Sequence, residues 1–279
     1  MQHGKASQTA LRVAIRRAAH QLVDHPPVLN DPIAVGLIGP GHDRDLERAS
    51  HTVARDFRCF MAARSRYAED RLAEAVGAGV RQYVILGAGL DTFAYRNPFP
   101  GVQVFEADFP ATQEGKREML ARAGIGLPPN LTFVPLDLEH KAPLESLADA
   151  GLDVGVPAFF SWLGVVPYLT LDAFRSTLGA VAQLPAGTGM VFDYAFPPQT
   201  LTPKRRVVFD RLAGRVAAAG EPFQLFFTPQ QVETELLRAG FKRMEQADHE
   251  TLNALYFRDR ADGLKLSPVG IGKVAAAWV

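Results

Sequence analysis

The order of apolar segments dictates an α/β protein, with a mostly parallel sheet covered by helices on both faces. Five short apolar runs, Tyr83–Leu86, Val102–Ala107, Leu131–Leu136, Ala158–Leu163 and Gly189–Tyr194, have strand length and alternate with helical patterns. Such alternation builds βαβ units, whose strands run parallel. The tail breaks the pattern: "FKRMEQ" (241–246) and "NALYFRDR" (253–260) read as two strands with a short link, an antiparallel hairpin that closes one sheet edge. Gly87-Ala88-Gly89 follows the first run directly and is expected to lead from that strand into a helix, a turn where such sheets bring backbone amides close to a ligand.

Taken in order, residues 1–50 form short helices broken at His25-Pro26-Pro27 and at Gly39-Pro40-Gly41. A long helix, Asp56–Val76, follows: Phe57, Phe60, Met61, Ala68, Leu72 and Ala75 share one stripe at about 100° per residue. Arg64 sits in the middle of that stripe, where its head needs a buried anion or a route to water. Arg71, near the same stripe, can snorkel, and Arg66 points the opposite way, one turn before Asp70. Thr170 caps a helix carrying Phe174, Leu178 and Val181. Thr228, Pro229 and Gln231 form a capping box whose helix stops at Gly240. Between the fifth strand and that helix, Pro197–Phe227 holds a helix, Pro203–Ala219, and a concentration of Phe at 196, 209, 223, 226 and 227. Packing of an inserted helix and a lid over an apolar substrate both explain it. One domain is expected over 1–279, with a helical cap at 1–78 and a core at 79–279 that carries the lid-like insertion at about 197–227.

Thirty basic and thirty acidic residues cancel without forming a basic block, so the electrostatic footprint of a nucleic-acid binder is missing. Cys59 is the single cysteine, and no Cys/His cluster has the spacing of a zinc site, so no metal is expected. The N-terminus lacks an unbroken apolar signal region, and the longest uncharged run, 154–171, is interrupted by Gly155, Pro157, Gly164 and Pro167. The expectation is a cytoplasmic protein without a membrane partner. Its oligomeric state leaves no mark in the sequence.

A complete dinucleotide fingerprint would place a third glycine at position 92, where this chain has Thr92. The second strand ends in Glu106-Ala107-Asp108, where a carboxylate can accept hydrogen bonds from the ribose of NAD or of S-adenosylmethionine (SAM). The third strand ends in Leu136-Asp137-Leu138. Asp137 can face an adenine amino group with Leu138 on the ring, or cap the next helix, and spacing leaves both open.

The set "AARSRYAEDRL", "QYVILGAGLDTFAYR", "VFEADFPAT", "FVPLDLE" and "FFSWLGVVPYLT", preceded by "DHPPVLNDPIA", resembles the leucine carboxyl methyltransferase-like branch of the SAM-dependent methyltransferases. The likeness covers most of the chain up to Thr170 and the remainder more loosely. It implies a Rossmann-like class I methyltransferase fold with a seven-stranded sheet, and SAM as cofactor. Carried over by position, it makes Gly87, within the turn Gly87-Ala88-Gly89, the glycine beside the methionine part of SAM. Asp108 becomes the ribose acid, with Glu106 near it; Asp137 and Leu138 become the adenine contacts, and Arg64 the partner of the SAM carboxylate. Where many relatives carry Glu-Gly before the sequence ending in Tyr-Leu, this chain has Leu163-Gly164. The SAM ammonium must then find other acceptors. Main-chain oxygens near Gly87 and Ser161 are the nearest by topology, with the Ser161 hydroxyl and, at longer reach, Asp91.

The expected reaction is methyl transfer to a carboxylate or hydroxyl oxygen of a small-molecule acceptor. A carboxylate needs no general base; a hydroxyl benefits from one, for which Tyr67, Tyr168, Tyr194 and His249 are the weak candidates. The competing readings are an NAD(P)-dependent oxidoreductase and a SAM-binding regulatory protein without turnover.

Overall fold

The computed structural model describes residues 7–51, 54–268 and 270–279. Seven strands form one sheet: β1 (Gln82–Leu86), β2 (Gln103–Asp108), β3 (Leu131–Pro135), β4 (Phe159–Trp162), β5 (Gly189–Ala195), β6 (Arg243–Ala247) and β7 (Gly272–Trp278). Their order is β3-β2-β1-β4-β5-β7-β6, with β7 antiparallel to both neighbours and all other pairs parallel. The five expected core strands are present to within one or two residues. Ile85 pairs with Glu106 on one side and Ser161 on the other, so strand order reverses at β1 and β4. That reversal opens a crevice at the carboxyl ends of the strands.

Strand alternation divides the core in two. Val84, Leu86, Phe160, Trp162 and Phe192 face α6 (Pro143–Asp149), α7 (Leu171–Ala182) and α9 (Pro229–Ala239). Tyr83, Ile85, Phe159 and Val191 face α4 (Arg55–Gly77) and α10 (His249–Tyr256). Trp162 stacks on Phe174 of α7 with ring centroids 5.6 Å apart, and full burial of such side chains stabilises by about 1.5–3 kcal/mol each. The caps read from sequence are in place: Thr170 Oγ accepts from the Ala173 amide, and Thr228 with Gln231 completes a capping box before α9.

Within residues 1–78, the segment ahead of α4 holds the cap helices, α1 (Gln8–Val23), α2 (Ile33–Ile38) and α3 (Asp43–Ser50). Its small core, Ala14, Ile15, Ala18, Leu37 and Ile38, rests on Leu90 and on Leu120 of α5 (Pro110–Arg122). Asp24 ties the cap to α4 by accepting from Arg58 at 2.7 and 2.9 Å and meeting His20 at 2.8 Å. The inserted helix α8 (Pro203–Ala218) buries only Phe209 and Val216.

Two expectations are corrected. "NALYFRDR" is no strand: Asp248 caps it by accepting from the Thr251 amide, and 249–256 coil into α10 with Leu252 inward. The seventh strand is "GKVAAAW", which slides between β5 and β6. The glycine turn, second, does not lead into an α-helix. Only a four-residue 3-10 turn, Phe93–Arg96, separates β1 from the approach to β2.

Candidate active site

A cavity of about 340 Å³ lies at the carboxyl ends of β1, β2 and β4, within the size range of small-molecule sites. Its floor is the turn after β1. Gly87 has φ +66°, a conformation that favours glycine, and a side chain there would collide with Val165, so glycine lets this turn approach the segment after β4 closely. The Gly87 and Ala88 amides both donate to the Ala107 carbonyl, which locks the turn onto β2.

Asp108 ends β2 at the cavity wall. Its carboxylate accepts from the Gly89 amide at 2.5 Å and the Phe109 amide at 2.7 Å. Burial raises its pKa, against the pull of those two amides. A carboxylate offers roughly four lone-pair sites, so two amides leave capacity for two hydroxyls. Glu106 does not join it. It lies one pleat deeper, fully buried, and its carboxylate pairs with Lys116 of α5 at 2.5 Å, away from the cavity. That corrects its expected place beside Asp108: an acid two residues back along a strand shares the face but falls roughly 7 Å short of the end.

Arg64 enters from α4, 6% exposed, and its Nη1 donates to Asp193 Oδ2 of β5 at 2.6 Å. The other Asp193 oxygen accepts from the Gly164 amide at 2.5 Å, so one buried acid fixes both the arginine and the turn after β4. Gly164 has φ +73°, and a Cβ there would come within 2.9 Å of Arg64 Nη2. The positive φ favours glycine in Leu163-Gly164, and a side chain there would displace the Arg64 guanidinium. Arg66 behaves as its phase demands, meeting Asp70 at 2.7 Å on the surface. Arg71 meets Glu74 and Glu245.

Ala88, Gly89, Asp91, Asp137, Leu138, Ser161 and Leu163 also line the cavity. Asp137 lines the cavity and turns the chain by accepting from the Glu139 amide at 2.9 Å, but it caps no helix, because α6 begins at Pro143 with Ala142 in the N-cap position. Asp91 is already committed, accepting from Arg17 at 2.8 Å and from the Phe93 amide at 2.7 Å. Burial would raise its carboxyl, but Arg17, Lys116, Arg96 and that amide outweigh burial and hold it at about 2. Of the four candidate bases only Tyr168 lines the cavity. Burial pushes its phenol well above the usual range, which keeps it a hydrogen-bond donor. Tyr67 and Tyr194 reach Glu245 and Gln246 of β6 instead, and His249 begins α10, outside the cavity.

Several lining residues were not singled out from sequence. The cap supplies Thr9, Ala10, Val13, Ala14 and Arg17, and the insertion supplies Glu221, Pro222 and Gln224. Arg17, like Arg64, is an arginine on the inward face of a helix, and it pairs with Asp31 at 2.7 Å as well as Asp91. Asp193 gave no such signal, because strand spacing does not say which helix lies opposite. Among the described residues, no group of His, Cys, Asp and Glu could hold a metal ion, and no helix is long and apolar enough to cross a membrane.

Asp108, Asp137, Leu138 and Arg64 all line this one cavity, a mixture of carboxylate, apolar and guanidinium groups of the kind that holds a small-molecule ligand. Comparison with known proteins identifies the family. The family model described as leucine carboxyl methyltransferase matches residues 10–182. YktD of Bacillus subtilis (strain 168), which its name assigns provisionally to the SAM-dependent methyltransferases, is 32% identical over 291 aligned positions, covering 95% of each chain. A similarly named protein of Mycobacterium avium (strain 104) is 34% identical over 75% of this chain and 72% of its own. Among solved structures, a DUF574 family protein from Streptomyces avermitilis superposes with TM-score 0.56 at 17% identity, over 94% of this chain and 96% of that one, a likeness of fold. The family match over most of the chain and the full-length likeness to YktD together establish that this protein belongs to the leucine carboxyl methyltransferase family of SAM-dependent methyltransferases.

Proposed function

We propose that the protein transfers the methyl group of SAM to an oxygen of a small-molecule acceptor held between the cap and the insertion. The observation that carries this reading is the convergence of Arg64, Gly87, Asp108 and Asp137 on one cavity roofed by α1 and by residues 221–224. Five carboxylates line that cavity, Asp91, Asp108, Asp137, Glu139 and Glu221, against two guanidiniums, Arg17 and Arg64. Such an excess of negative charge suits a cationic sulfonium donor.

When bound, SAM supplies an electrophilic methyl on sulfur, which leaves the protein chiefly the work of alignment. In this reading Arg64, braced by Asp193, orients the amino-acid carboxylate, and the free lone pairs of Asp108 hold the ribose hydroxyls. Asp137 and Leu138 receive the adenine. With Leu163 in place of the family glutamate, main-chain oxygens near Gly87 and Ser161 take the ammonium. The cap and the insertion act as a lid that excludes water. Tyr168, held as a phenol, donates a hydrogen bond to the acceptor and takes no proton from it.

Calorimetric titration with SAM, its demethylated product and NAD tests the reading. SAM and its product should bind in the micromolar range, about 8 kcal/mol of binding free energy. NAD should not bind, since Thr92 replaces the third glycine and its hydroxyl is spent on Arg17 and Asp31. NAD binding without SAM binding would sink it. Mass spectrometry of co-purifying small molecules would then narrow the acceptor.

A further inference from the structure

Where the cap helix α1 meets the inserted helix α8, three arginines gather without an acid. Arg12 Nη1 donates to the Arg215 main-chain carbonyl at 3.2 Å, and Arg16 Nη1 donates to the Arg12 carbonyl at 2.8 Å. The Arg16 guanidinium lies over the Phe57 ring at 4.9 Å, and its Nε is buried with no hydrogen-bond partner. No carboxylate of the described residues pairs with Arg12, Arg16 or Arg215, and residues 1–6, 52–53 and 269 include no Asp or Glu. Burial together with the charges of Arg215 and Arg12 brings the Arg16 pKa down to about 10. Arg16 is half-buried while Arg12 and Arg215 are exposed, so the three like charges, without a carboxylate partner among the described residues, present accessible donors to a counter-anion.

The cluster does not itself line the cavity but neighbours residues of α1 that do. Arg12 follows Thr9, and Arg16 follows Val13, by three residues on α1, and both Thr9 and Val13 line the cavity. Residues three apart on a helix are neighbours. From the other side, Phe57, Phe60 and Arg64 run along one stripe of α4, with Arg64 facing the Phe60 ring at 6.0 Å. Seven residues of helix place Phe57 roughly 10 Å from Arg64. Inside the cavity Arg17 and Arg64 already have carboxylate partners, Asp31, Asp91 and Asp193, whereas the outer arginines have none to offer competition to an incoming anion.

We propose that Arg12, Arg16 and Arg215 bind an oxyanion, carboxylate or phosphate, carried by the methyl acceptor, whose apolar body lies along Phe57 and Phe60. This rests on the cavity being the SAM site. An acceptor of this class bridges cap and insertion, drawing α1 and α8 together by neutralising the charge between them.

The test is thermal unfolding at constant ionic strength, with chloride replaced by inorganic phosphate or, in a second arm, by decanoate. The wild type should melt at a higher temperature in at least one arm, with at least a tenfold weaker response in the Arg16→Gln/Arg215→Gln variant. General salt exclusion acts equally on both proteins and cancels in the comparison. A response in the decanoate arm alone identifies an apolar carboxylate, and one in the phosphate arm a phosphorylated acceptor. No response in either arm, or an equal response in the variant, overturns the inference. SAM titration of both proteins separates the two claims. Wild-type SAM binding without an anion response removes this site and leaves the proposed function standing. An anion response without SAM binding overturns the cofactor reading and, with it, the assignment of the anion to an acceptor.

Discussion

Asp108 and Glu106 show how two acids of one strand divide their work. Asp108 closes on the Gly89 and Phe109 amides at the cavity wall, so Asp108→Ala should weaken SAM binding by about 1.5–3 kcal/mol, the scale of hydrogen bonds to a charged group. Calorimetry should register this while the far-UV spectrum stays unchanged. Glu106 instead forms a buried pair with Lys116, and its removal should alter stability rather than binding. Burial pushes the Glu106 carboxyl from its ordinary 4.5 up to about 7, against the opposing pull of Lys116. Between pH 4.5 and 7 the folded protein therefore holds a proton that the unfolded chain has released. The stability this confers is full below 4.5 and is lost as the pH rises to 7. Urea melts at pH 5 and pH 8 should show the wild type losing more stability than a Glu106→Gln/Lys116→Met variant. Parallel losses would mean that Glu106 titrates normally. The alternation of β2 made both acids legible, but the presence of Lys116 opposite one of them was not, because it depends on how α5 seats.

Helix α4 carries the clearest sequence signal and the sharpest contrast between neighbours. Arg64 and Arg66 differ by two residues, about 200° around a helix, which sends one inward and the other to water. Arg64→Leu strands the Asp193 carboxylate in the core and should cost about 3–5 kcal/mol of stability besides most of the SAM affinity. Arg66→Leu removes a surface pair with Asp70 and should cost about 0–1 kcal/mol. Equal effects on the melting temperature would contradict the phase of the helix. The insertion was legible only as a helix with many Phe. Its part in the cavity comes from Glu221, Pro222 and Gln224, in the loop beyond α8, where periodicity has nothing to say.

At the scale of the molecule, β7 completes the sheet by entering between β5 and β6, and Val274, Ala275, Ala276 and Ala277 are all fully buried there. No space is left for larger side chains, so Ala276→Leu should destabilise the protein by about 1–3 kcal/mol through overpacking, measured by chemical denaturation with SAM binding as a second readout. An unchanged midpoint would show that α4 and α10 yield to the added volume. The alanine run explains why this strand was missed: alanine is a strong helix former and a poor strand former, and only confinement between two strands makes it extend. "NALYFRDR" erred in the other direction, its aromatic residues outvoting the Asp248 cap that was present in the sequence. By itself the sequence determined the alternating α/β order, the helix caps, the glycine turn, the inward phase of Arg64 and the family, because these rest on local periodicity, backbone sterics and ordered motifs. Only the tertiary structure decided that Asp193 braces Arg64, that Lys116 takes Glu106 and that β7 enters mid-sheet. It also decided that α1 and residues 221–224 roof the cavity. Each of these depends on which distant surfaces bury one another, and that free energy has no period along the chain.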